Sequence, residues 1–256
     1  MSDWVAVSRS QHADKHFLPR DGYTFALDRP VIGILIAELA KLLPHYALGF
    51  IEQGDGFLPV ALCSLDGKTN LYIAENGKWL GNYVPAAIRG YPFTLANTDD
   101  GQIALCVNAE HLTSGQGEPL FTEDGELGQT AAQTLDFLEQ CEKNRELTAV
   151  CTAKLAEAGV IEPWPLTIQH EEGQEPLKLN GLFRVNEQAV NSLTADALHA
   201  LRGGPLSLAY AQLFSMSQLH QLSDRLKFHA EQGHLPQQSL EELFGNDDDD
   251  LTFDFN

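Results

Sequence analysis

Apolar positions alternate over Trp4, Val5 and Val7, and a second run follows from Tyr23 to Leu27, which predicts two short strands near the start of the chain. Asp28 followed by Arg29-Pro30 has the form of a helix start, because Asp accepts from free first-turn amides and Pro is tolerated there. That reading carries a helix to about Leu43, where Pro44 stops it. Four β-type runs come next: Gly49 to Glu52, Leu58 to Leu65, Asn70 to Ala74, and Gln102 to Val107. The turn signals Gln53-Gly54-Asp55-Gly56, Asp66-Gly67-Lys68 and Glu75-Asn76-Gly77 divide them, so the spacing predicts an antiparallel meander. Val84 to Arg89 reads as a short helical turn bounded by prolines, and residues 113–128 carry loop chemistry.

From about Gln129 to Ala158 the positions Leu135, Leu138, Cys141, Leu147, Val150, Cys151, Leu155 and Ala158 recur at helical spacing, and Gly159 closes the segment. Leu166 to Gln169 and Leu177 to Val185 form a predicted hairpin about Glu171-Glu172-Gly173. The last third is helical: Asn186 to Ser192, Ala195 to Leu201 capped by Thr194, a break at Gly203-Gly204-Pro205, and a long helix from Leu206 to about Glu231. In that helix Tyr210, Leu213, Met216, Leu219, Leu222 and Leu226 form one stripe. No internal repeat is visible. Sheet first and helices later is an α+β order: an N-terminal antiparallel sheet with a helix, a long helix, a β-hairpin and a helical C-terminal third. The expected organisation is one domain over 1–245, with a sub-boundary near 113–128, and an acidic flexible tail over 246–256.

Charge changes this picture more than composition does. The 256 residues hold 16 Lys plus Arg against 36 Asp plus Glu, a formal charge of -20, and 43% of them are hydrophobic. Such a chain can bury a core, but it lacks the cationic surface that binds phosphate backbones or anionic lipid. Nucleic acid is therefore not an expected partner. The acidity is regional. Gly90 through Glu142 contains ten acids and no Lys or Arg, and Glu241 through Asn256 contains seven more acids, so the rest of the chain is nearly balanced.

The opening MSDWVAVSRSQHADKHF has no basic cluster followed by an apolar run, so a cleaved signal is not expected and the chain is placed in the cytoplasm. The longest apolar run, Val31 to Ala37, is far shorter than the roughly 20 residues of a spanning helix. Cys63, Cys106, Cys141 and Cys151 show no CxxC. Ten residues of helix put Cys141 and Cys151 roughly 15 Å apart, beyond the reach of a disulfide, so free thiols in a reducing compartment are expected.

No GxSxG, Walker loop, GxGxxG or HExxH occurs, so no catalytic residue is assigned, and no cofactor or metal is expected. His12 and His16 share a helical spacing but lack a third ligand, and His229 with His234 suits a helix end better than a metal. The acidic pairs Asp99-Asp100 and Glu123-Asp124 lack calcium-loop spacing. Two segments carry recognition chemistry. Asn76 to Phe93 gathers Trp79, Tyr83 and Tyr91 with Arg89, residues able to stack a sugar, a planar ligand or a partner's side chain; the alternative is a core beneath a loop. The tail sets Asp247, Asp248, Asp249 and Asp250 before Leu251, Phe253 and Phe255, an acidic aromatic segment suited to a partner's basic groove or open sheet edge, or else a solubilising extension.

Several stretches together resemble the SapC family of bacterial proteins. They are Tyr46 to Ile51 with Phe57 to Leu62, Leu71-Tyr72, and Gly77-Lys78-Trp79 through Tyr83 to Arg89 and on to Tyr91-Pro92-Phe93. Gly117 to Phe121 before Asp124-Gly125, Leu177 to Val185 around Asn180-Gly181-Leu182, and Ala209 to Leu213 with Ser217-Gln218-Leu219 complete the match. The resemblance implies a protein linked by family name to the bacterial surface layer or cell envelope, reached without a cleaved signal. It equally implies a cytosolic accessory protein, or a small-molecule binder or enzyme, working with a halogenase- or oxygenase-type partner. The family supplies no catalytic residues. The expected function is therefore non-catalytic, through protein-protein interaction.

Overall fold

The computed structural model describes residues 3–97, 103–168 and 177–232. The fold is α+β, and its described residues group into two compact units. The smaller comprises Met1–Asp21 and Ala86–Asn144; the larger comprises Gly22–Pro85 and Arg145–Asn256. Residues 113–128 lie inside the smaller unit.

In the smaller unit, strand Ile103–Asn108 pairs antiparallel with Trp4–Ala6 on one side and Phe93–Asn97 on the other. The register sets Phe93 opposite Val107 and Leu95 opposite Leu105, so four apolar side chains fall on one face. Phe93, Leu105 and Val107 join Phe17, Leu120 and Ala131 in the core, with Leu135 and Leu138 packed against it. Each fully buried Phe, Leu or Val among them contributes about 1.5–3 kcal/mol. A second sheet centres His16–Phe17 between Leu112–Thr113 and Glu118–Pro119. Gly117 makes that pairing possible: its φ is 90°, and a Cβ there would sit 2.2 Å from the Phe17 carbonyl oxygen.

The larger unit holds a five-stranded antiparallel sheet in the order Ile161–Pro163, Leu182–Val185, Leu48–Gln53, Gly56–Leu62 and Val31–Gly33. Its central hairpin turns at Gly54, with Gln53 opposite Gly56. Leu166–Ile168 pairs with Leu177–Leu179, and the turn expected at Glu171 to Gly173 lies outside the described residues. Helix Gly204–Ser215 reaches the sheet through polar side chains. Gln212 accepts from the Val185 amide at 2.9 Å and donates to the Leu48 carbonyl at 3.1 Å, while the Ser215 hydroxyl accepts from the Leu48 amide at 2.9 Å. These bonds fix which face of the helix turns inward.

Several elements differ from their sequence-based expectation. Val31–Gly33 is a strand where a helix was expected, because Val31 and Ile32 pair with Leu62 and Ala61 at the sheet edge; the helical part shrinks to Leu39–Leu42. Thr24–Ala26 is a 3-10 turn and not a strand. Residues 70 to 74 make only an isolated bridge, Ile73 with Trp79, because buried Asn70 bonds the Ala26 carbonyl and the Tyr72 amide and so organises a loop. The Gln102 to Val107 run belongs to a different sheet from the central hairpin. The final helix is interrupted: Gly204–Ser215, a 3-10 turn Met216–Leu219, and His220–Glu231. Ser215 donates to the Gln212 carbonyl at 2.6 Å where the regular ladder gives way. The long helix forms as expected over Gln129–Glu157, but Leu147 and Val150 are about half exposed while Thr148 and Thr152 are buried.

Candidate functional site

Trp79 and Tyr83 belong to the larger unit, Arg89 and Tyr91 to the smaller. In the larger unit the aromatic segment is drawn into a stack. Tyr46, fully buried, lies over Tyr72 with centroids 4.6 Å apart, and Tyr72 lies over Trp79 at 5.6 Å. The Trp79 indole N–H donates to the Tyr46 hydroxyl at 2.9 Å, and that hydroxyl donates to the Tyr83 carbonyl. Tyr72 donates to the His45 carbonyl at 2.6 Å. Tyr83 extends from this stack, its hydroxyl donating to buried Glu38 at 2.9 Å. The guanidinium over the cluster is Arg225, 3.9 Å from the Tyr72 centroid and anchored by Gln221. Sequence reasoning missed Arg225, Tyr46 and Tyr72 as one group, since they lie far apart along the chain. Their faces cover one another, which is core chemistry.

Burial pushes the Tyr46 phenol well above its ordinary range; nearby Cys63 and Tyr72 add to that, and the Trp79 bond opposes it. Burial likewise raises Tyr72, with Arg225 opposing, and raises the Cys63 thiol. All four cysteines are buried and free.

In the smaller unit, Arg20 donates through one Nη to the carbonyls of Arg89 at 2.6 Å and Tyr91 at 3.1 Å. Arg89 ends the short helix Ala86–Arg89, and its guanidinium lies 4.8 Å from the Phe137 centroid. Gly90 lets this turn approach the long helix, since a Cβ there would be 2.6 Å from Leu138. The Tyr91 hydroxyl accepts from Asn108 at 3.0 Å and sits 3.1 Å from His111 Nε2, while His111 Nδ1 faces the Leu18 carbonyl at 2.6 Å. A carbonyl only accepts, so in the neutral ring Nδ1 carries the proton and Nε2 accepts from Tyr91. Burial raises the Tyr91 phenol, Glu110 and Asp21 adding to it and Asn108 opposing. A cavity of about 280 Å³ adjoins this turn.

The third feature was not singled out from the sequence. Because Gln212 and Ser215 hold helix Gly204–Ser215 by one face, Tyr210 and Phe214 point away from the sheet, 38% and 70% exposed. Their rings lie 6.1 Å apart and nearly parallel, one helical turn from each other. They border an open groove of about 850 Å³ whose other wall includes Glu162, Arg184, Asn186 and Glu187. Arg184 pairs with Glu162 at 2.9 Å, and Asn186 donates to the same carboxylate at 2.6 Å. Asn186 also caps helix Glu187–Asn191 through the Ala189 amide at 2.8 Å. The expected stripe set Tyr210 with Leu213 and Met216, whereas the buried positions of this helix include Leu208, Ala211 and Gln212 and leave Tyr210 exposed.

His12 is buried, its Nδ1 3.1 Å from the Ser8 amide, and among the described residues no group of three or more His, Cys, Asp or Glu is placed to hold a metal ion. Among the same residues no helix is long and apolar enough to cross a membrane. His234, Asp99-Asp100 and the tail residues Asp247 to Asp250, Leu251, Phe253 and Phe255 lie outside the described residues. Compared with known proteins, the chain is matched over residues 7–222 by the family model described as SapC. No curated protein and no solved structure matches it.

Proposed function

We propose that this chain, which belongs to the SapC family, works without catalysis by binding a protein partner through the groove beside Tyr210 and Phe214. The observation that carries this reading is the exposed, stacked aromatic pair on a helix whose opposite face is pinned to the sheet. Large aromatics held rigidly at the surface and rimmed by polar groups are the side chains that dominate protein interfaces, because they bury much apolar area with little rotamer entropy to lose. The paired Arg184, Glu162 and Asn186 supply a fixed polar rim for a partner's backbone or side chains. The partner class is a polypeptide segment with an apolar anchor for the Tyr210 and Phe214 rings.

The acidic tail adds a second contact in this reading, with Asp247 to Asp250 steering toward a basic groove and Leu251, Phe253 and Phe255 anchoring there or along an open sheet edge. In this reading the interaction is assigned to the bacterial surface layer or envelope, on the family name alone. Affinity capture with the full chain, Phe214→Ala, Tyr210→Ser and a chain lacking residues 246–256 tests these parts separately. The two point variants are expected to lose a reproducible partner while melting as the parent does, and the shortened chain to hold it more weakly. Unchanged capture by both point variants removes the groove from the account, and unchanged capture by the shortened chain removes the tail. Cell fractionation showing the protein solely in the cytosol would end the envelope assignment and leave the interaction itself standing.

A further inference from the structure

We infer that the outer edge of strand Trp4–Ala6 is a docking site for an extended basic polypeptide segment, which joins the smaller unit's sheet as a further strand. This concerns the smaller unit alone and does not depend on the groove beside Tyr210 and Phe214. Trp4–Ala6 is an edge strand, paired only with Ile103–Asn108. The Val7 amide donates to the Leu105 carbonyl and the Ala109 amide to the Asp3 carbonyl, both at 2.8 Å, so in the antiparallel register Trp4 with Asn108 and Ala6 with Cys106 are the non-hydrogen-bonded pairs. The amide and carbonyl groups of Trp4 and Ala6 therefore point outward, and among the described residues they have no hydrogen-bond partner. The side chains of both residues are exposed as well. Proteins blunt such an edge with Lys, Pro or a bulge, and this strand has none of them.

The aromatic ring and the charge around this edge choose its occupant. Trp4 is 41% exposed and braced from behind: its ring meets Tyr91 edge to face with centroids 6.2 Å apart, and the Tyr91 hydroxyl is tied to Asn108 and His111. A large aromatic held beside an open edge is an anchor that loses little side-chain freedom on binding. Charge selects a basic segment. The smaller unit has thirteen Asp or Glu against five Lys or Arg. Asp3 directly precedes the strand, and Glu110 and Asp21 are close enough to Tyr91 to act on its hydroxyl. All three residues are exposed, and among the described residues none of their carboxylates has an ion pair. Arg20, next to Asp21 in the chain, donates instead to the Arg89 and Tyr91 carbonyls. A lysine or arginine of the guest gains Coulomb attraction from these carboxylates and can lie over the Trp4 ring. Main-chain bonds to Trp4 and Ala6 supply the pairing, and alternate side chains of the guest supply the charge.

The test titrates the full chain with a short peptide alternating Lys and Val, with its Glu-Val counterpart, and with the Lys-Val peptide N-methylated at adjacent central residues, which closes both of its edges. Hydrogen exchange of single amides is read by NMR. At saturation the Lys-Val peptide is expected to slow exchange at Trp4 and Ala6 about tenfold or more, while Val5 and Val7, already bonded across the sheet, change little. The Glu-Val and methylated peptides should bind about tenfold more weakly or worse. Ala6→Pro removes an outward N–H and leaves the bonds to Ile103–Asn108 in place, and Trp4→Ala changes only an exposed side chain; each should weaken the Lys-Val peptide about tenfold. Phe214→Ala should leave its affinity unchanged, which separates this edge from the groove. Equal binding of the Glu-Val or methylated peptide, parental affinity in both Ala6→Pro and Trp4→Ala, an equal loss in Phe214→Ala, or no slowing at Trp4 and Ala6 with about 5 mM peptide would overturn the proposal. A dimer of the parent chain that Ala6→Pro converts to monomer would overturn it as well, because the edge would then belong to a second copy.

Discussion

Tyr46 and Tyr72 occupy the centre of the larger unit with their hydroxyls spent on a carbonyl and an indole, and their ionisation is opposed by burial. A phenol whose folded value lies above its unfolded value of about 10 stabilises the fold fully below that value, and the contribution is lost as pH rises further. An absorbance titration is therefore expected to show Tyr46 and Tyr72 ionising only in the same step as loss of tertiary structure. Reversible ionisation of all six tyrosines without unfolding would contradict the packing described. Replacing Tyr46 by Phe removes a bonded hydroxyl and leaves the Trp79 indole N–H with one fewer acceptor, a cost of about 1–3 kcal/mol in denaturant unfolding. The buried cysteines give a second check: a thiol reagent should label none of the four rapidly in the folded chain and all four in denaturant. At this scale the sequence showed which residue types cluster between Asn76 and Phe93. It did not show that their guanidinium partner in the larger unit comes from Arg225, because a contact spanning more than a hundred residues has no local signature.

Helix Gly204–Ser215 is docked by one face on the larger unit's sheet. Its apolar content predicted a helix and the break at Gly203 was readable, whereas its end at Ser215 was not, since the expected helix ran on to about Glu231. The inward face was not, because the polar Gln212 and Ser215 share it with Leu208, Ala209 and Ala211 while Tyr210 and Phe214 lie outside. A hydrophobic periodicity reading assigns polar residues to solvent and so misplaces Gln212 and Ser215. Over Asp28 to Leu43 a different cause acts: pairing of Val31 and Ile32 at a sheet edge overrides the local helix-start signal. The central hairpin, the long helix and the Thr194 cap were legible because turn glycines, helical spacing and a capping residue act locally. Gly117 offers a test of the small sheet. Gly117→Ala meets both a left-handed φ and the Phe17 carbonyl, so it should destabilise the fold by about 2 kcal/mol or more, read as a lowered denaturant midpoint. A neutral effect would mean that the strand pairing around His16–Phe17 is not as described.

Across the whole molecule, the charge of -20 comes largely from two acidic stretches, residues 90–142 and 241–256. Long-range attraction from such a chain favours positively charged partners and is screened by salt within about 10 Å at 0.1 M. Deleting residues 246–256 removes five carboxylates (Asp247 to Asp250 and Asp254), so partner association should become slower and less dependent on ionic strength. Phe214→Ala should instead speed dissociation while changing stability by no more than about 0.5 kcal/mol, as befits an exposed side chain. The most direct measurement is photo-crosslinking from position 214 of the intact chain in its native cells, with position 147 as a control of comparable exposure. The account predicts one discrete adduct from position 214 that disappears when Tyr210 is changed to Ser, and no such adduct from position 147. An absent adduct at 214, or the same adduct from both positions, would contradict it.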